Sequence, residues 1–378
     1  MPNIVHQAQR LGQSIWMDYI SREMLVTGEL ERLINLGVVG VTSNPSIFEK
    51  AIATGADYDK DLAAAAKRSL STKQAYELLA LSDISTAADL LRPTYDMTDG
   101  RDGFVSLEVN PALAHDTKGT VEEARRLFAS LGRPNVMIKV PATAEGIPAV
   151  RQLIGEGINV NVTLIFSLAM YGHMREAYIA GLEDRARQGN LITRTASVAS
   201  FFVSRVDTAV DALLQEAVKR GNGSARDMLG KAAVANAKLA YEAYATIFGG
   251  ERFQALRRLG ARVQRPLWAS TSTKNPAYSD LLYVEPLIGA DTVNTLPPAT
   301  LDALLGHGKA SLTINQDMAG AHASMKGLEA AGVSMAQVTD KLLAEGVKAF
   351  ADSFDKLLLN LEKKMALLKG GPVASGVV

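Results

Sequence analysis

One lysine stands inside an apolar run, Val136-Met137-Ile138-Lys139-Val140. Lysine is almost never fully buried without a partner or a purpose. Desolvation disfavours the ammonium and leaves a neutral amine, a nucleophile for a carbonyl carbon. The chemistry on offer is a Schiff base with a ketone or aldehyde. The competing reading is a strand-end lysine whose aliphatic stem carries its ammonium out to water. A Schiff-base lysine also needs carboxylates. These shuttle protons to the carbinolamine and imine, and to the hydroxyl whose C–C bond breaks. Asp18 and Glu108 follow the runs Ser14-Ile15-Trp16-Met17 and Phe104-Val105-Ser106-Leu107 and suit both tasks. The plainer alternative is a pair of surface acids. Arg205 and Lys274 follow two later runs, with Ser200 and Ser272 close by. They would supply the cations and hydroxyl donors that a phosphate-bearing substrate needs.

These residues share a setting. Eight short apolar runs each end in a polar or charged residue. Besides those ending at Asp18 and Glu108, Val38-Val39-Gly40-Val41 ends at Thr42-Ser43-Asn44 and Val136-Met137-Ile138 at Lys139. Asn159-Val160-Asn161-Val162 ends at Thr163, and Ala196-Ser197-Val198-Ala199 at Ser200. Pro266-Leu267-Trp268-Ala269 runs into Ser272 and Lys274, and Asp291-Thr292-Val293-Asn294 ends at Thr295. Helical patterns separate them over 120–131, 147–155, 167–188 and 206–220. Alternating strands and helices imply parallel βαβ units, and eight such units imply a closed (β/α)8 TIM barrel of class α/β. In that fold active sites lie at the C-terminal rim of the strands. The polar strand ends therefore converge on one rim.

The chain exceeds a minimal barrel in three places. Extra helices are expected after the second strand (46–100, with 73–91 the clearest), before the seventh (221–262, with 228–248) and after the eighth (298–305, 316–331 and 335–369). The last helices either cover the barrel or form a subunit contact. Residues 370–378 read as a frayed tail. No Gly-, Ser- or Pro-rich linker splits the 378 residues, so one domain is expected over 1–378. Gly221-Asn222-Gly223 reads as a helix-to-helix turn.

Composition narrows the function classes. Forty basic residues balance forty acidic ones, so no basic surplus points to nucleic acid or an anionic membrane. The chain has no cysteine, which excludes disulfides and thiolate chemistry. Its start does not resemble a secretory signal, and no run is long enough to span a membrane. A cytoplasmic protein follows, a monomer or homodimer. His6, His115, His173, His307 and His322 show no metal-ligand spacing, so no metal is expected. Dinucleotide and P-loop glycine motifs are absent.

Three segments together resemble the transaldolase family. They are Thr42-Ser43-Asn44-Pro45-Ser46, the stretch from Val136 to Gly146, and Gly157 to Ser167. The resemblance spans nearly all of residues 14–298. It implies transfer of a dihydroxyacetone unit between sugar phosphates, in the non-oxidative pentose phosphate pathway, without metal or organic cofactor. It implies Lys139 as the Schiff-base nucleophile and Asp18 as the acid/base for the C4 hydroxyl. Glu108 would activate a water that Thr163 holds. Asn44 and Asn161 would hydrogen-bond substrate hydroxyls, Ser200 would touch substrate, and Arg205 would bind phosphate. Lys274 stands where many relatives carry arginine; it keeps the charge and loses the bidentate fork. The related fructose 6-phosphate aldolases are shorter. They carry glutamine at the Glu108 position and tyrosine where this chain has Phe202, so both positions favour transfer over release. A catalytically silent sugar-phosphate-binding barrel would lack Asp18, Glu108 or Lys139.

Overall fold

The computed structural model of the protein describes residues 3–370. Eight parallel strands close into a barrel in chain order. They are β1 (Gln13–Met17), β2 (Gly40–Thr42), β3 (Phe104–Glu108), β4 (Val136–Pro141), β5 (Val160–Ile165), β6 (Ser197–Phe202), β7 (Arg265–Ala269) and β8 (Thr292–Leu296). Every strand residue is buried. Parallel strands covered on both faces read as apolar runs rather than alternating patterns for this reason. All eight expected runs contain strands, and the architecture is the expected (β/α)8 barrel.

Several strands continue past the polar residue expected to close them. β4 runs on from Lys139 to Pro141, β5 from Thr163 to Ile165 and β6 from Ser200 to Phe202. Pairing with neighbours carries them on: Pro141 lies beside Thr163, Ile165 beside Phe201 and Phe202 beside Ala269. Lys139, Thr163 and Ser200 therefore stand within strands, not at their ends. β2 is shorter than its run and starts only at Gly40. A side chain there would place its Cβ 2.5 Å from the Trp16 ring.

Helix α1 (Ile4–Arg10) precedes the barrel, and α2 (Arg22–Val26) and α3 (Glu29–Asn35) lie between β1 and β2. The segment after β2 folds as α4 (Pro45–Thr54), α5 (Asp59–Lys67) and α6 (Thr72–Met97). α6 begins with a Ser71/Gln74 capping box and continues through Pro93, beyond its expected end. Tyr95 in its last turn packs edge-on against Phe104 of β3, with ring centroids 5.4 Å apart. α7 (Thr117–Leu131), α8 (Gly146–Glu156), α9 (Leu168–Arg187) and α10 (Ser204–Lys219) follow β3 to β6 in turn. A short 3-10 helix (Gly223–Met228), α11 (Ala232–Gly249) and α12 (Glu251–Arg258) precede β7, and Gly221 makes the turn out of α10 at φ +95°. α13 (Pro298–His307), α14 (Met318–Ala330) and α15 (Met335–Gly370) close the chain. Gly370 ends α15, and the rest of the expected tail lies outside the described residues. Among the described residues no helix is long and apolar enough to cross a membrane.

α15 covers the barrel, one of its two expected roles. Its buried residues Val338, Leu342, Gly346, Phe350, Phe354, Leu357, Leu361 and Met365 recur every three or four positions, one face of a helix. That face lies against the helices inserted after β2. Ser46 Oγ donates to Ser353 Oγ at 2.8 Å, Lys356 pairs with Glu49 at 2.9 Å, and Lys364 pairs with Asp59 at 2.6 Å.

Candidate active site

β3 and β4 bring the expected nucleophile and one expected acid together. Glu108 and Lys139 are neighbours in register, and Lys139 Nζ lies 3.5 Å from Glu108 Oε2. Both side chains are about 95% buried. Nζ also donates to the Ser43 carbonyl oxygen at 3.0 Å. Burial pushes the Glu108 carboxyl above its ordinary value, and Lys139 pulls it back. Glu108 Oε2 has no hydrogen-bond partner, and neither does Thr163 Oγ1 on β5, which is fully buried.

Asp18 follows β1 directly, and its N–H donates to the Leu296 carbonyl of β8. Its Oδ1 accepts from Thr42 Oγ1 at 2.8 Å. Desolvation raises its carboxyl above the ordinary range; Lys139, Thr42, Arg205 and Lys274 pull it down. Three cations, on β4, on α10 and in the connection between β7 and β8, thus act on one carboxylate.

A cavity of ≈ 520 Å³ opens over these groups. Asp18, Asn44, Lys139, Thr163, Ser200, Arg205, Ser272 and Lys274 all line it. Arg205 lies in the first turn of α10 with its guanidinium 5.3 Å from the Phe202 ring centroid. It makes no hydrogen bond or ion pair among the described residues. Burial lowers its pKa and Asp18 raises it. Lys274 is exposed and donates to Ser272 Oγ at 2.6 Å. Both cations line this cavity, and Arg205 stands at the N-terminus of a 16-residue helix, where backbone N–H groups favour an anion.

Two expected site residues do not line this cavity. Glu108 stands behind Lys139 and borders a separate cavity of ≈ 20 Å³, room for about one water. Asn161 is fully buried. Its amide bridges two strands, accepting from Ser200 Oγ at 2.7 Å and donating to Ser106 Oγ at 3.1 Å. Asn44 lines the cavity and also caps α4, its Oδ1 accepting from the Ile47 N–H at 2.9 Å, with Pro45 in the first turn.

Other lining residues carry little sequence signal. Phe350 comes from α15, with its ring centroid 5.9 Å from Lys139 Nζ. Lys50 of α4 and Tyr19 also line the cavity. Thr42 belongs to the Thr42-Ser43-Asn44 motif, and its hydroxyl on Asp18 is a role the motif alone does not reveal. Two non-glycine residues adopt left-handed backbone beside the site: Leu164 (φ 61°) next to Thr163, and Ser270 (φ 56°), which lines the cavity. Such strain persists only where surrounding structure imposes it, and it clusters at functional sites. At Leu164 it coincides with an irregularity in the β5–β6 pairing.

The comparisons with known proteins point to one family. Residues 15–361 match the family Transaldolase/Fructose-6-phosphate aldolase. Transaldolase 2 of Nostoc sp. is 47% identical over 375 residues, covering 97% of this chain and 98% of that protein. Transaldolase 1 of Streptomyces avermitilis is 48% identical, with 94% and 95% covered. The transaldolase of Thiobacillus denitrificans is 49% identical, with 95% and 99% covered. With a lysine, two carboxylates and two cations gathered at one end of a (β/α)8 barrel, and relatives of this similarity along nearly its whole length, the chain belongs to the transaldolase/fructose-6-phosphate aldolase family.

Proposed function

We propose that this single-domain barrel is a transaldolase that carries a dihydroxyacetone unit on Lys139. It takes the unit from sedoheptulose 7-phosphate and passes it to glyceraldehyde 3-phosphate, giving erythrose 4-phosphate and fructose 6-phosphate. The observation that carries the reading is the buried Lys139 amine 3.5 Å from Glu108, in a cavity that also holds Asp18, Arg205 and Lys274.

The amine attacks the ketose C2, and the carbinolamine loses water to leave an iminium. Glu108 and Thr163, each with a buried oxygen that accepts no hydrogen bond, hold the water that relays these protons. Asp18 takes the proton of the C4 hydroxyl. The C3–C4 bond breaks, the aldose leaves, and the electron pair enters the iminium to form an enamine. The acceptor aldehyde then adds to the enamine, Asp18 returns its proton, and hydrolysis frees Lys139. The iminium is the electron sink, so the chemistry needs no metal or organic cofactor. Arg205, Lys274 and Ser272 hold phosphate. Asn44 and Ser200 contact substrate hydroxyls, and Asn161 acts on them through Ser200. Glu108 and Phe202 support transfer over release. The proposed enzyme is cytoplasmic, a monomer or homodimer.

Borohydride trapping tests the reading. After incubation with fructose 6-phosphate and reduction, a three-carbon adduct should map to Lys139 by mass spectrometry. Sugar-phosphate binding without any adduct would leave a silent barrel.

A further inference from the structure

The two cations of the phosphate end stand on different elements. Arg205 is fixed in the first turn of α10, whereas Lys274 and Ser272 belong to the long connection between β7 and β8. Lys274 is exposed, and among the described residues its only hydrogen bond is to Ser272 in the same connection. Something else must hold this segment against α10.

Two aspartates of α10 do so. Asp207 and Asp211 lie one helical turn apart, two and six residues after Arg205. Tyr283 of the connection donates its hydroxyl to Asp207 Oδ2 at 2.9 Å, and Tyr278 donates to Asp211 Oδ2 at 2.7 Å. The other oxygen of each carboxylate is also engaged. Asp207 Oδ1 accepts from the Ala233 N–H at 2.7 Å, and Asp211 Oδ1 from the Gly230 N–H at 3.0 Å. Asp207, Asp211 and Tyr283 are buried. Hydrogen bonds to buried carboxylates are strong and directional, so each pair fixes position as well as adding stability. Gly230 shows the fit. Its φ is +70°, and a Cβ there would lie 2.9 Å from the Tyr278 ring. Between the tyrosines and the cation the segment is also braced: Tyr278 N–H donates to the Asn275 carbonyl at 3.1 Å, and Thr273 Oγ1 to the Ser279 carbonyl at 2.8 Å.

Resting on the reading of Arg205 and Lys274 as phosphate ligands, we infer that the pairs Asp207–Tyr283 and Asp211–Tyr278 form a clamp that sets Lys274 and Ser272 at a fixed distance from Arg205. These four are positioning residues. They touch no substrate, and they determine how strongly the enzyme distinguishes a phosphorylated ketose from the same ketose without phosphate.

The test uses Tyr278→Phe, Tyr283→Phe and the double variant, which remove only the hydroxyls. Fructose 6-phosphate and fructose serve as donors, with unphosphorylated glyceraldehyde as the common acceptor. KM for fructose 6-phosphate should rise about tenfold in the double variant, the equivalent of one or two lost hydrogen bonds. The kcat for fructose 6-phosphate and kcat/KM for fructose should change less than twofold. Lys274→Ala should show the same one-sided loss. A double variant that loses equally on both ketoses, or on neither, while Lys274→Ala discriminates, overturns the clamp. Equal losses in Lys274→Ala would instead overturn the phosphate reading beneath it. If the double variant folds poorly, Tyr278→Phe alone decides, because Tyr278 is half-buried.

Discussion

Glu108 and Lys139 sit side by side on adjacent parallel strands, and their side chains meet at 3.5 Å with almost no exposure to water. A buried ion pair is weak evidence for stability, because desolvation offsets most of the attraction. Its proposed value is chemical. Glu108→Gln keeps the shape and removes the base. Imine formation should slow by about 100-fold or more, the usual range for a lost proton-transfer group. Release of dihydroxyacetone should rise relative to transfer. Rapid-quench borohydride trapping measures the first and product ratios the second; unchanged values would remove Glu108 from the proton relay.

Lys139→Met replaces the amine with an apolar chain of similar length. Turnover and the trapped adduct should both vanish while the thermal transition stays cooperative. Wild-type-like turnover would end the Schiff-base assignment.

Asp18 and Glu108 are both held above the ordinary carboxylate values of 3.8 and 4.5, chiefly by desolvation. Each must be ionised to accept a proton, so kcat/KM should fall on the acid side at a pH above those values. Arg205 and Lys274 pull Asp18 down. Removing either cation therefore raises the Asp18 pKa, and the acid limb should move to higher pH in Arg205→Gln and in Lys274→Gln. A limb that stays put, or moves lower, would show that another group controls it.

Phe350 brings α15 to within 5.9 Å of the Lys139 amine. Phe350→Leu keeps an apolar roof but opens space beside the retained intermediate. Water should enter, and dihydroxyacetone release should increase severalfold over transfer. Transfer and release falling together would make Phe350 a packing residue only.

Gly40→Ala would set a methyl 2.5 Å from the Trp16 ring at the start of β2. Overpacking of this kind destabilises by about 1–3 kcal/mol. Urea unfolding should show a loss in that range; an unchanged midpoint would mean Trp16 has room to shift.

The sequence by itself determined the barrel and marked out Lys139, Asp18 and Glu108 as the residues proposed for nucleophile and acids. Each is written in local pattern: a lysine inside an apolar run, acids closing two other runs, and eight strands separated by helices. Burial on both faces of a parallel strand produces those runs, and active sites collect at one rim of this fold. What only the tertiary structure decided is which groups meet. The Glu108–Lys139 contact depends on strand register, which no single strand encodes. Lys139, Thr163 and Ser200 stand inside their strands because neighbouring strands extend the pairing beyond them. Asn161 lies behind the cavity wall between Ser106 and Ser200. Phe350 follows Lys139 by more than two hundred residues, and its place over the amine comes from packing α15 on α4 and α5. The local sequence of α15 specifies an amphipathic helix; the surface that its apolar face covers is set by helices from the other end of the chain.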